Sequence, residues 1–267
     1  MGVKTALITD IHEDIVSLKK VLKMIEREKC DQIICLGDIL GYPFMRARYA
    51  DTRSVSECIS LIRSNCSLVL LGNHDIFHLR KFPSHVSGFR FPQNWYELTP
   101  EEKTATSGGR VWNYSDDYAV ALSEVEAAYM ESLPEYAVTA IGTKRILLSH
   151  FIYPNFTGYV SRNNGDNKAM GAHFEWLRDN SCDLSICGHM HIEGLGISYE
   201  PDDTLLSRLF RGFMYYSYGA KSLKNKRCTI TVPALADNSQ VNGFAVFDSS
   251  DLTINALSLN TNRRFIL

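Results

Sequence analysis

Short apolar runs, each broken off by residues able to bind metal or move a proton, restrict the fold of this chain more than any other feature. Val3 to Thr9 ends at Asp10 and His12, Gln32 to Leu36 at Asp38, and Leu68 to Leu71 at Asn73 and His74. Arg145 to Ser149 ends at His150, and Asp183 to Cys187 at His189 and His191. Runs this short and this apolar fit strands covered on both faces. Helical segments separate the first three. Ile15, Leu18, Val21, Leu22 and Ile25 repeat at the helical period behind Asp14, which is placed to cap the N-terminus, and a second helix is expected over Ser54 to Ser64. Strand and helix in alternation build βαβ crossovers, hence a parallel sheet in an α/β fold.

From Ile76 to about Tyr118 the periodicity lapses into aromatic and polar residues with Pro83, Pro92, Pro100 and Gly108-Gly109, which reads as a cap-like insertion. A helix is expected over Tyr118 to Ser132, strands over Tyr136 to Ile141 and Arg145 to Ser149, and a helix over Lys168 to Asn180. Gly212 to Tyr218, Arg227 to Val232, Val241 to Phe247 and Leu252 to Leu257 follow as strands without intervening helices, which predicts a second, mainly antiparallel sheet packed on the first. No linker or repeat divides the chain, so residues 1–267 are read as a single domain.

Composition excludes several classes. A net charge of -2 leaves no electrostatic footprint for nucleic acid or an anionic membrane, and the basic cluster from Lys221 to Arg227 reads as a solvated turn. No apolar stretch approaches the roughly 20 residues of a membrane span, and a cytoplasmic location is expected. The 7 cysteines form no CxxC pair and read as small buried hydrophobes.

In open α/β sheets, ligands bind beyond the carboxyl ends of the strands, where this chain puts its carboxylates, imidazoles and one amide. Glycines precede Asp38, Asn73 and His189, so that the backbone can turn as each side chain points inward. Mixed oxygen and nitrogen ligands without thiolate suit Zn, Mn or Fe in a site that keeps an open position. Asp10, His12, Asp38, Asn73, His150, His189 and His191 outnumber the ligands one such ion takes from protein. Two ions about 3.5–4 Å apart account for the excess.

The ordered blocks Asp10-Ile11-His12, Gly37-Asp38, Gly72-Asn73-His74-Asp75, Ser149-His150 and Gly188-His189-Met190-His191 resemble the calcineurin-like metallophosphoesterase family, over residues 3 to about 192. The resemblance implies a four-layer αββα sandwich of two mixed β-sheets flanked by helices. It also implies a phosphoric ester hydrolase with two metal ions, which cleaves a small phosphodiester or phosphomonoester by attack of a metal-bridging hydroxide. By the same resemblance Asp10, His12 and His191 hold one ion, Asn73, His150 and His189 the other, and Asp38 bridges. His74 matches the family's non-ligand histidine, with Asp75 orienting it.

The chain departs from the family in places. Glu13-Asp14 stands where many small prokaryotic-type members have Gly-Asn, and Glu13 reads as a solvated loop residue beside the helix cap. Ile39-Leu40-Gly41-Tyr42-Pro43 and Leu71 replace the arginine-bearing segments of phosphoprotein phosphatases and dinucleoside-tetraphosphate hydrolases, which removes their bidentate phosphate clamps. The stretch from Gly37 to Pro43 is closer to the small phosphodiesterase branch. Even there, Phe151 replaces a common Gly, and Val232-Pro233-Ala234 an Asn-Pro-Gly-Ser type segment.

His78, His85 and His173 read as structural or exposed, with His78 held in reserve. Phe89, Phe91, Trp95 and Tyr96 read as aromatics that pack the insertion onto the body; Arg162, in the Asn/Gly loop after His150, has no spacing that supports a phosphate-binding role. A small phosphorylated substrate is the expected partner. The competing readings are a non-catalytic metal-binding scaffold of the same fold, a phosphoprotein phosphatase, and a nuclease, the last disfavoured by the missing basic groove.

Overall fold

The alternation in the first third folds as the pattern predicts, in a computed structural model that describes residues 2–42, 49–86, 88–160, 167–202, 212–238 and 240–259. Strands β1 (Lys4–Ile8), β2 (Gln32–Cys35) and β3 (Leu68–Val69) are parallel neighbours, connected through helices α1 (Ile15–Glu28) and α2 (Val55–Asn65). Asp14 caps α1 by accepting the Ser17 N–H at 3.0 Å, and Ile15, Leu18, Val21 and Ile25 form its buried face.

The last third departs from the expectation of a sheet of its own. Its strands are shared between two sheets. β11 (Gly243–Asp248), β12 (Thr253–Ser258) and β9 (Gly219–Ser222) extend the first sheet to the order β3-β2-β1-β11-β12-β9. In the second sheet β4 (Tyr136–Ile141), β5 (Lys144–Ser149), β6 (Leu184–Cys187), β10 (Cys228–Thr231), β7 (Leu195–Tyr199) and β8 (Met214–Tyr216) lie side by side in that order. Both sheets are mixed. β10 runs parallel to β6 and antiparallel to β7, and β1 pairs parallel with β2 and antiparallel with β11. The expected turn from Lys221 to Arg227 begins inside β9 and crosses to β10, so one cluster of basic residues links the two sheets.

Strand alternation divides the core into layers. Ala6 and Ile8 face α1 and α2, while Leu7 between them joins Ile34, Leu70, Ile146, Leu148, Ile186 and Phe247 in the core between the sheets. Leu147 and Cys187 point the other way, onto Phe174 and Leu177 of α6 (Asn167–Asp179). Helix, sheet, sheet, helix is the resulting order, the expected αββα sandwich. None of the described helices is long and apolar enough to cross a membrane. All of the cysteines are free, and those at 35, 58, 182, 187 and 228 are buried.

The segment read as aperiodic holds α3 (Asn73–His78), a single 3-10 turn at Trp95–Glu97 and α4 (Pro100–Ser107), then leads to α5 (Glu124–Glu131). Thr99 and Glu102 form a reciprocal capping box with Pro100 at the first position of α4, a signal legible in Thr99-Pro100-Glu101-Glu102. The aromatics of the segment pack inward. Trp95 is buried against Phe89 and Phe91, and the Tyr96 hydroxyl lies 3.2 Å from that of Tyr159. Pro43 and Arg162 lie outside the described residues.

His173 is structural, as its isolation in sequence suggests. Its Nδ1 accepts the Tyr153 N–H at 3.0 Å, its Nε2 is buried with no partner, and burial pushes its pKa down to about 3. The unfolded chain protonates this ring near 6.5, so its contribution is fully present above that pH and is lost as pH falls toward 3. Replacing His173 by Asn should flatten the acid limb of stability between pH 6.5 and 4, by up to about 1.4 kcal/mol per pH unit. Urea unfolding of both proteins across that range would show equal slopes if His173 carried no such linkage.

Candidate metal centre

Loops from both sheets meet at the carboxyl ends of β1, β2, β3, β5 and β6, and backbone hydrogen bonds join them. Asp10 N–H donates to Gly37 O at 3.0 Å, Ile11 N–H to Asp38 O at 2.7 Å, and Glu13 N–H to Ile39 O at 3.0 Å. On the other side of the same loop, Leu235 and Ala236 donate to Thr9 O and Asp10 O, both at 2.9 Å. The loop after β1 is thereby held between two others, and its side chains have few alternatives. Asp10, His12, Glu13, Asp38, His189 and His191 sit at φ of 52°, 47°, 65°, 55°, 70° and 47°, a left-handed region that costs non-glycine residues roughly 1–2 kcal/mol each.

The glycines before the site serve two ends. Only Gly37 of the three takes a left-handed φ, at 104°. Gly72 is needed for space, because a Cβ there would fall on the Asp38 carboxylate.

Among the described residues four groups of potential ligands result: the first two are Asp10 with His12 and His191, and Asp38 with His150 and His189, and the His74 ring enters the other two, with His12 and Asp38 and with His78 and Asp117. His191 Nε2 lies 3.2 Å from Asp10 Oδ1 and 3.1 Å from His12 Nε2. His150 Nε2 lies 3.1 Å from Asp38 Oδ2, and His189 Nδ1 lies 2.8 Å from Asn73 Oδ1. Asp38 Oδ2 is also 3.8 Å from His12 Nε2, so one carboxylate faces both of the first two groups. Atoms bound to one ion at about 2.0–2.2 Å stand roughly 3–4 Å from one another, the spacing seen here.

The outer nitrogens are occupied in a way that frees the inner ones. His12 Nδ1 faces Gly41 O at 2.6 Å and His150 Nδ1 faces Leu36 O at 2.9 Å, so each Nδ1 donates to a carbonyl and each Nε2 is turned inward. Asp10 Oδ1 and His150 Nε2 are buried with no hydrogen-bond partner. A buried polar atom left bare costs about 1–3 kcal/mol, and a cation held between the two would satisfy both.

Electrostatics agree. Burial opposes charge on His74 and His150, yet the nearby carboxylates, Asp38 foremost, push both up to about 9. Burial and neighbouring positive charge push His12 and His189 down to about 3. Asp10 and Asp38 are buried, yet the surrounding imidazoles hold both well below the usual carboxylate range. The cluster packs ionised carboxylates among imidazoles of which two are driven charged and two neutral. Its donor set and its bare buried atoms fit divalent metal.

Two expectations about neighbouring residues are corrected. Asp75 does not hold the His74 ring. Its carboxylate accepts four backbone N–H groups, from Asp38 (2.8 Å), Ile39 (2.9 Å), Leu40 (2.9 Å) and Gly72 (2.9 Å). Asp117 takes the task expected of Asp75, with Oδ2 2.6 Å from His74 Nδ1 and 3.1 Å from Nε2 of His78, the histidine held in reserve. Glu13 is not solvated either. It is 1% exposed, accepts the Gly41 N–H at 3.0 Å and pairs with Arg53.

Asn238 adds an amide 3.0 Å from His191 Nδ1, and the Phe151 ring lies 4.7 Å from that of His189. Asp117, Arg53 and Asn238 carry no motif. They reach the site from segments remote in sequence.

Asp and His clusters at the strand ends of a double mixed sheet define a metal-binding α/β protein. The match that follows makes the class specific: a profile of the calcineurin-like phosphoesterase family covers residues 3–193, and the chain belongs to that family. A metallophosphoesterase from Sphaerobacter thermophilus superposes with a TM-score of 0.63 at 19% identity, over 97% of this chain and 88% of its own. A hypothetical protein from Pyrococcus horikoshii OT3 gives 0.54 at 14% identity, over 96% of this chain and 87% of its own. Both likenesses concern the fold. An uncharacterised protein of Methanocaldococcus jannaschii is 39% identical over 70 residues, which is 26% of this chain and 25% of that relative's length.

Replacing Asp75 by Ala strands four backbone donors at the centre of the site, and at about 1 kcal/mol each should cost on the order of 4 kcal/mol. Urea unfolding of metal-free protein measures this. A loss under about 1 kcal/mol would show that water or neighbouring groups replace the carboxylate.

Proposed function

We propose that the protein is a metal-dependent phosphoesterase acting on a small phosphodiester or phosphomonoester, nucleotides among them, with two ions of manganese, iron or zinc. The reading is carried by one observation. Asp38 Oδ2 faces both groups of Asp and His side chains, 3.1 Å from His150 Nε2 and 3.8 Å from His12 Nε2, and Asp10 Oδ1 and His150 Nε2 are buried without a hydrogen bond. Asp10, His12 and His191 would hold one ion and Asn73, His150 and His189 the other, with Asp38 between them.

When bound, the ions supply charge neutralisation at the phosphoryl oxygens and hydroxide near neutral pH. The protein does the rest. His74 stands at the first turn of α3, with its ring centroid 4.8 Å from that of His12 and its Nδ1 fixed by Asp117. Nε2 is then the nitrogen left to meet the substrate, and it delivers the proton that the leaving oxygen needs. Asp117 keeps the ring in one tautomer and orientation, and favours its charged form. A net charge of -2 without a cationic groove suits a small substrate better than a polynucleotide.

Protein reconstituted with Mn(II) should hydrolyse bis-p-nitrophenyl phosphate or p-nitrophenyl phosphate and lose the activity to a chelator. If neither ester is turned over, the reading fails. Asp38→Asn removes the shared charge, and its metal content should drop from about two equivalents to below one, with hydrolysis lost. Asp117→Asn should lower kcat by about 10²–10⁴ while KM and metal content stay as in the native protein. An unchanged kcat would show that His74 needs no positioning, or is not the acid.

A further inference from the structure

The Gly41 peptide is gripped on every side. Its N–H donates to Glu13 Oε1 at 3.0 Å, its carbonyl faces His12 Nδ1 at 2.6 Å, and its φ is 65°. A Cβ at this position would collide with His78 Nε2 and Asp117 Oδ2, so only glycine fits. Glu13 is in turn fixed by Arg53. That guanidinium also donates to Ala119 O at 3.2 Å and lies over the Tyr118 ring, 4.4 Å from its centroid. Tyr118 N–H donates to Tyr42 O at 3.0 Å, which ties the same stretch to the residue after Gly41.

We propose that Glu13 and Arg53 are positioning residues for the metal centre: they fix the Gly41 peptide, and through its carbonyl the ring and tautomer of His12. The proposal rests on the metal-binding reading of the site. It gives a purpose to the extra carboxylate that separates this chain from members with Gly-Asn after the first histidine.

A histidine ligand depends on the acceptor behind its outer nitrogen, and loss of such a partner typically costs 10–100-fold in metal affinity. The effect should fall on one ion alone. His12 belongs with Asp10 and His191, whereas Asn73, His150 and His189 touch neither Glu13 nor Gly41 in the hydrogen bonds described.

Isothermal titration of metal-stripped protein with Mn(II) tests this. Native protein should show two binding steps. In Glu13→Ala one step should weaken about 10–100-fold and the other stay unchanged, whereas Glu13→Gln, which keeps an acceptor for the Gly41 N–H, should remain close to native. Two native-like steps in Glu13→Ala would overturn the proposal. So would equal weakening of both steps, the mark of a general loosening. If Glu13→Ala does not fold, Arg53→Met carries the same test with the same two outcomes. Absence of Mn(II) binding to the native protein would instead overturn the metal-centre reading beneath it.

Discussion

One buried carboxyl group organises the loops of the site through backbone hydrogen bonds alone. Asp75, at the third position of α3, gathers the N–H groups of Asp38, Ile39, Leu40 and Gly72. Those donors belong to the loops after β2 and β3, so a single buried carboxyl group fixes both loops at once. The loop after β1 is then pinned to the loop after β2 by backbone bonds, and residues 235 and 236 close over it. The ligands are held because their peptides are held. Removing that anchor frees the strand ends, however well the sheets themselves pack.

The fixed backbone accounts for the left-handed ligands. Asp10, His12, Asp38, His189 and His191 all adopt φ between 47° and 70°, where a side chain is unfavourable. A conformation of that kind persists only when the surroundings overdetermine it. For Asp10, His12 and Asp38 the surroundings are peptide hydrogen bonds between adjacent loops, and for His189 the Asp10 carboxylate that accepts its N–H at 3.0 Å. In the same site two carboxylates are held ionised among histidines of which some are driven charged and others neutral. A centre so divided is poised for cations.

Much of this was legible in the sequence, for physical reasons. The α1 period and its Asp14 cap are local signals, and the ligands follow apolar runs because strand ends are where a sheet exposes polar chemistry. What was not legible depends on partners far away. Glu13 reads as a loop residue until Arg53 covers it. Asp75 looks like the natural neighbour of His74, but a helix turn aims it at Gly72, and Asp117 arrives from 43 residues further on. Of the final strands, β8, β10, β11 and β12 follow runs legible in the sequence, whereas β7 and the short β9 do not stand out. Their division between two sheets is a matter of tertiary pairing, which period-2 alternation does not encode.

That division sets the order in which the molecule can come together during synthesis. β1 is made long before β11, its partner on one side, with Lys4 opposite Asp248. β6 likewise waits for β10, with Leu184 opposite Cys228. Until β10 and β11 have been made, both strands carry an unpaired edge. Completion of the sheets is therefore a late, non-local and slow event. The nascent chain must pass through a stage in which apolar strand edges are open to wrong partners.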